Sequence, residues 1–171
     1  MKRFIALLLA LTVLFALAAC NKNPNASQTG TTTTTEEVTG VAAETWTLSI
    51  EDDSHKVQHY VLDLKNKQLT HSVCILWSEL FNAETWEKTK QTDSESIISF
   101  NGKEYYADLT YFYNVTYDID GNNVSLMYQA TNGPASEQKL TLEDEHTLRI
   151  ISDSSTATLL NGKAYTCHHH E

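Results

Sequence analysis

The residues of this 171-residue chain best suited to chemistry are its three cysteines and seven histidines. Cys167-His168-His169-His170-Glu171 sets a thiol, three imidazoles and a carboxylate side by side, the ligand types that copper, nickel and zinc take. A terminal stretch must lose its chain entropy on binding, so Cys167, His168, His169 and His170 make at best a weak metal site, and a polar tail with incidental histidines is the favoured reading. His55 and His59 have the spacing that chelates on a helix, but on the strand implied by Val57 to Leu64 they stand about 13 Å apart, too far to share an ion. The six glycines are spent on turns and on a polar stretch, which leaves no phosphate-cradling loop, and no Gly-x-Ser-x-Gly elbow occurs. Scattered Ser, His and Asp are expected in any domain. No catalytic residue and no cofactor is assigned, and the chain is read as a non-enzyme.

Cys20 has a different context. Lys2 and Arg3 precede an apolar run from Phe4 to Leu17, and Leu17-Ala18-Ala19-Cys20 closes it. The run is shorter than the about 20 residues a membrane-spanning helix needs. This pattern resembles the signal and lipobox of bacterial lipoproteins. The resemblance implies cleavage before Cys20, lipidation of its sulfur, and residence on the extracytoplasmic side of a bacterial membrane, in the cell envelope. At about 0.8 kcal/mol per buried methylene, two or three acyl chains make a lasting anchor. Residues 1–19 are then a signal peptide. Residues 20–43, with the run Thr31 to Thr35, have too few apolar side chains to fold and read as a flexible spacer reaching on the order of 25 Å. Residues 44–171 form one domain.

Loss of residues 1–19 removes Lys2 and Arg3 and no acid, moving the formal charge from −10 to −12. Phosphate backbones bind through displaced counterions and need Lys and Arg, so nucleic acid is excluded as a partner, and the charge itself keeps an exported domain soluble. Cys74 and Cys167 remain in a compartment where disulfides persist. A bridge, contributing about 4 kcal/mol, and two buried thiols are equally compatible with the sequence.

Within the domain the dominant period is two. Leu109, Tyr111, Tyr113, Val115, Tyr117 and Ile119 alternate with Thr110, Phe112, Asn114, Thr116 and Asp118, which puts six apolar or aromatic side chains on one strand face. Shorter alternations run through Trp46-Leu48-Ile50, Tyr60-Leu62-Leu64, Val73-Ile75-Trp77, Val124-Leu126-Tyr128, Leu140-Leu142 and Leu148-Ile150. Asn101-Gly102, Asp120-Gly121, Asn132-Gly133-Pro134 and Asn161-Gly162 supply turn chemistry between them. The expected fold is all-β: an antiparallel meander of about eight to ten strands in a small barrel or sandwich. Ser78 to Asp93 breaks the alternation and is expected to form a short helix or a lid-like loop over one mouth.

A Trp on the first strand, a meander, and a last strand near the terminus are similar to lipocalins and lipocalin-like barrels, although Glu44 stands where that family has Gly before its Trp. The resemblance implies a barrel cavity for a small apolar ligand. Tyr111, Tyr113, Tyr117 and Trp46 are the candidate ligand-facing residues. The alternative is a structural or protein-interaction lipoprotein, an assembly subunit or an inhibitor, displaying an apolar patch near Phe112 or Trp86.

Overall fold

The computed structural model describes residues 40–155 and 158–167. Cys20, the signal segment, nearly all of the spacer, and His168, His169 and His170 lie outside the described residues. Nine strands follow in order: β1 Thr45–Glu51, β2 Val57–Asp63, β3 Gln68–Leu76, β4 Ile97–Phe100, β5 Lys103–Asp120, β6 Asn123–Ala130, β7 Ala135–Asp144, β8 Thr147–Asp153 and β9 Ala164–Cys167. Two helices, α1 Trp77–Leu80 and α2 Ala83–Thr92, separate β3 from β4. No helix among the described residues is long and apolar enough to cross a membrane.

The strands form one antiparallel sheet in the order β3-β2-β1-β9-β8-β7-β6-β5, and β5 returns to β3 to close an eight-stranded barrel. Of the two architectures expected, the barrel is the one adopted. β4 stands outside the ring, paired to the first residues of β5 through Phe100↔Lys103 and its neighbours. The Asn101-Gly102 turn between them has φ of 49° and 73°, the two left-handed residues that a tight hairpin of this twist demands. Turns without glycine use side chains instead. Asp52 accepts from the amides of Ser54 and Lys56 between β1 and β2, and Asp63 accepts from the amide of Asn66 between β2 and β3.

The inward face of each strand carries the apolar alternation. Trp46, Leu62, Leu64, Leu126, Leu140, Leu148 and Ile150 are buried together and fill most of the barrel's length with side chains. A smaller cluster, Val57, Cys74 and Tyr105, is sealed by Leu76, Ile98, Phe100 and Ala107.

Two expectations need correction. The six-residue stripe on β5 is not uniformly dry: Val115 is buried, Tyr113 and Tyr117 are half-buried, and Leu109, Tyr111 and Ile119 are exposed. β5 has 18 residues, about three times a typical strand, so it overhangs the ring it helps to close. The excursion after β3 is helical as expected, with Asn82 capping α2 by accepting from the amide of Thr85. It is no lid over the pocket described below. Trp86 of α2 is buried against Trp77 in a parallel stack at 5.5 Å and donates to Glu104, while Phe81 packs on Tyr106, so both helices lie on the β4–β5 hairpin.

Leu148 is wholly buried opposite Leu142 and Tyr165. Leu148→Ala should lower the unfolding free energy by about 2–5 kcal/mol, whereas Ile151→Ser, on the exposed face of the same strand, should change it by less than about 0.5 kcal/mol. Urea denaturation of the isolated domain measures both, and equal losses would contradict the assignment of faces on β8.

Candidate functional site

At one end of the barrel the aliphatic filling stops. On β2 the inward stripe runs Leu64, Leu62, Tyr60; on β6, Val124, Leu126, Tyr128; on β5, Val115 then Tyr113; on β7, Leu142, Leu140, Gln138. Each changes from aliphatic to phenolic or amide side chains on approaching the same mouth. The rings are too rigid to collapse into the space between them, and a pocket of about 380 Å³ remains, within the range of small-molecule sites. Leu69, Ala130, Pro134 and Leu160 supply apolar wall, and Ser136 and Ser155 complete the rim.

Beneath the rings lies a polar floor. Asp153, 8% exposed at the end of β8, accepts from the Tyr128 hydroxyl at 3.0 Å, from Gln138 Nε2 at 2.6 Å and from the Ser155 amide at 2.7 Å. Gln138 in turn accepts from the Tyr165 hydroxyl at 3.3 Å. Three neutral donors satisfy the carboxylate, and no Lys, Arg or His stands at ion-pair distance from it among the described residues. Burial, reinforced by the negative charge of Asp153, pushes the Tyr60 and Tyr128 phenols up, Tyr128 to about 12. The Ser155 Oγ is buried with no partner at hydrogen-bonding geometry.

His71 forms part of the lip. Register aligns Tyr60, His71 and Tyr111 as one row across β2, β3 and β5. The His71 ring stacks on Tyr60 at 4.3 Å with 6° between planes and meets Tyr111 at 5.7 Å. Gln58 donates through Nε2 to Asp52, which turns its carbonyl oxygen toward His71 Nε2 at 2.7 Å. That oxygen can only accept, so the proton of the neutral ring sits on Nε2 and Nδ1 is left as an acceptor. Burial depresses the His71 pKa to about 4.

Of the four residues expected to face a ligand, only Tyr113 lines this pocket. Tyr111 is in the next row outward, touching His71 and largely exposed. Tyr117 borders a separate depression with Thr116 and Met127. Trp46 is core: it is 1% exposed, donates its indole N–H to the Val41 carbonyl, and borders another depression with Glu44 and Leu142. Tyr60, His71, Tyr128, Gln138, Asp153 and Tyr165 were not singled out from the sequence. A tyrosine or amide at the end of an apolar alternation was the available signal.

Cys74 and Cys167 are both free, buried thiols and do not form the bridge considered above. Cys74 belongs to the cluster with Val57, Cys167 to the barrel core. Cys167 donates to Glu44 at 3.4 Å, and burial with that carboxylate nearby raises its pKa to about 11, which disfavours the thiolate a metal would need. No cluster of three metal-ligating side chains occurs among the described residues. His55 pairs with Glu51 and His59 with Ser49, so these two histidines serve different local contacts.

No protein-family model matches the chain, and no curated protein matches its sequence. Among solved structures, the crystal structure of Treponema pallidum Tp0751 (pallilysin) is similar over 75% of this chain and 81% of that one, at 12% identity and a TM-score of 0.42.

His71 titrates near 6.5 when solvated and near 4 in the fold, so between those values the unfolded chain binds more protons and stability falls as pH drops. His59, also depressed by burial, adds a slope of the same sign. Urea midpoints measured from pH 7 to pH 4 should decline, and His71→Gln should flatten part of that decline. A profile unchanged by the substitution would mean that the ring is not held neutral by its surroundings.

Proposed function

We propose that this chain is a lipid-anchored protein of the bacterial cell envelope whose β-barrel binds a small molecule at its open mouth. The observation that carries the binding half is the pocket itself: concave, about 380 Å³, walled by rings from five strands and floored by hydrogen-bonded polar groups. Apolar walls with a few fixed polar groups are the usual composition of small-molecule sites. Aliphatic side chains pack together in the core below this mouth, so the ligand is held in a cup at one end and not along the axis. A compact ligand with both an apolar surface and a hydrogen-bonding group fits that lining better than a long acyl chain.

The imidazole and the carboxylate at the pocket are held in hydrogen bonds to other protein groups. His71 Nε2 is tied to Gln58, and Asp153 to Tyr128, Gln138 and the Ser155 amide. This favours binding over turnover. The anchoring half rests on Leu17-Ala18-Ala19-Cys20 and on the polar stretch that follows it.

A second reading, protein interaction, has its own observation. β4 pairs with β5 as far as Tyr106, and β6 takes the same edge from Tyr113 onward, so the edge of Ala107 to Phe112 between them has no strand partner among the described residues. Leu109, Tyr111 and Phe112 there are 51%, 46% and 61% exposed. An unpaired edge with apolar side chains is a template for an added strand.

Two measurements test the main reading. Cys20→Ser should move the protein from the membrane to the soluble fraction and remove the lipid mass seen in the intact wild type. Ser136→Trp, which fills the rim, should weaken binding of an environment-sensitive apolar dye by about tenfold or more while leaving the far-ultraviolet circular dichroism of the barrel unchanged. Undiminished dye binding by the filled variant would remove the pocket from the proposal.

A further inference from the structure

We infer that the mouth pocket selects organic cations, compact molecules carrying an alkylammonium group on an apolar body. The inference rests on the reading of the pocket as a binding site and adds the charge of what it binds. Tyr113 and Tyr128 meet edge to face, centroids 5.5 Å apart and planes at 86°, and so form two perpendicular aromatic walls. Tyr60, stacked on His71, stands as a third. Ring faces are electron-rich, and several converging on one space attract a cation with a strength that grows as the site loses water.

The charged group hydrogen-bonded to one of these rings, Tyr128, is a carboxylate. Asp153 lies directly behind Tyr128 and Gln138, buried, held only by neutral donors and without a cationic partner at ion-pair distance among the described residues. In a region of low dielectric such a carboxylate acts over several ångströms. No Lys or Arg lines the pocket, so an entering anion would find only neutral donors in place of its hydration and no opposite charge. The chain's formal charge of −10 draws cations toward the surface as well. The contrast with an ordinary apolar cup lies in Asp153: it stands behind the lining residues Tyr128 and Gln138, where its charge favours an ammonium group in the pocket and gives a neutral ligand no such gain.

Three probes of nearly identical shape isolate the charge: choline, the neutral 3,3-dimethylbutan-1-ol, and the anionic 3,3-dimethylbutanoate. Titrations of the barrel followed by NMR shifts of the tyrosine rings should give choline at least about tenfold tighter binding than the alcohol, and no saturable binding of the anion. Asp153→Asn, close to isosteric, should erase most of the difference between choline and the alcohol. Should that variant unfold, Tyr113→Leu at a half-buried position serves instead: it should weaken choline about fivefold and leave the alcohol unchanged. Equal binding of choline and the alcohol would overturn the cation inference and leave small-molecule binding in place. If none of the three probes binds and the apolar dye fails as well, both the inference and the binding reading are lost.

Discussion

Everything in this fold follows from one long-range pairing, β5 on β3. Register from Gln68↔Asn114 to Leu76↔Tyr105 joins segments separated by the helical excursion and β4, and it turns an open meander into a ring. Closure removes the free edges of the open sheet but leaves Ala107 to Phe112 of β5 without a strand partner on one side among the described residues, and it makes the interior a space of fixed width that side chains must fill. The same pairing also sets what lies outside. β5 needs to be long enough to meet β3 on one edge and both β4 and β6 on the other, and its 18 residues therefore extend past the barrel. The exposed Leu109, Tyr111 and Phe112 are the geometric consequence of closure by an overlong strand.

Closure explains where packing stops as well. Leucine and isoleucine adapt their rotamers and interdigitate, so the rows containing Leu62, Leu126, Leu140 and Ile150 meet across the axis and leave no useful space. Tyr60, Tyr113, Tyr128 and Tyr165 are planar and carry hydroxyl groups that must be satisfied when buried, which restricts how closely they approach each other. Two of these hydroxyls, on Tyr128 and Tyr165, reach the polar floor directly. Asp153 is held there by charge-assisted hydrogen bonds, and its own amide donates to the Asn161 side chain, so the floor also ties down the connection between β8 and β9. A network so placed fixes the loop that forms one wall of the pocket. Its negative charge reaches the pocket only through Tyr128 and Gln138, the lining residues that donate to it.

Most ring strands are legible from alternation, as are hairpin turns whose backbone needs positive φ, such as Asn101-Gly102, whereas the short β4 and β9 carry too few residues for a period, and the Val73-Ile75-Trp77 alternation runs on into α1, which begins at Trp77. Trp46-Leu48-Ile50 and Tyr60-Leu62-Leu64 are buried on the predicted face because period two is a local property of the chain. The pocket was less legible, for a physical reason. Whether an inward tyrosine is core or rim depends on how high it stands on its strand relative to seven neighbours, and that height is set by the shear of the closed barrel. Tyr113 and Tyr117 share one stripe, yet only Tyr113 reaches the mouth. Gln138 and Asp153 are polar side chains at positions facing inward, and their partners come from different strands, so each looked like an ordinary surface residue in sequence. Trp46 lies outside this pocket for the opposite reason, since its indole N–H finds Val41 locally and leaves the ring to pack in the core.

The two sides of β5 give the domain two surfaces that do not compete. Tyr113 looks inward to the pocket, whereas Phe112, one residue earlier, looks outward beside an edge without a strand partner among the described residues. Because the side-chain period of a strand is two, a one-residue slip of β5 against β3 would exchange these roles, burying Phe112 in the pocket and exposing Tyr113. The contact of His71 with Tyr111 at 5.7 Å spans the β3–β5 pairing and opposes such a slip, while the close stack of His71 on Tyr60 and its hydrogen bond to Gln58 fix the register of β3 on β2. His71 therefore links the shape of the mouth to both neighbours of β3: the ring that lines the pocket is held by β2 and touches the closing strand β5.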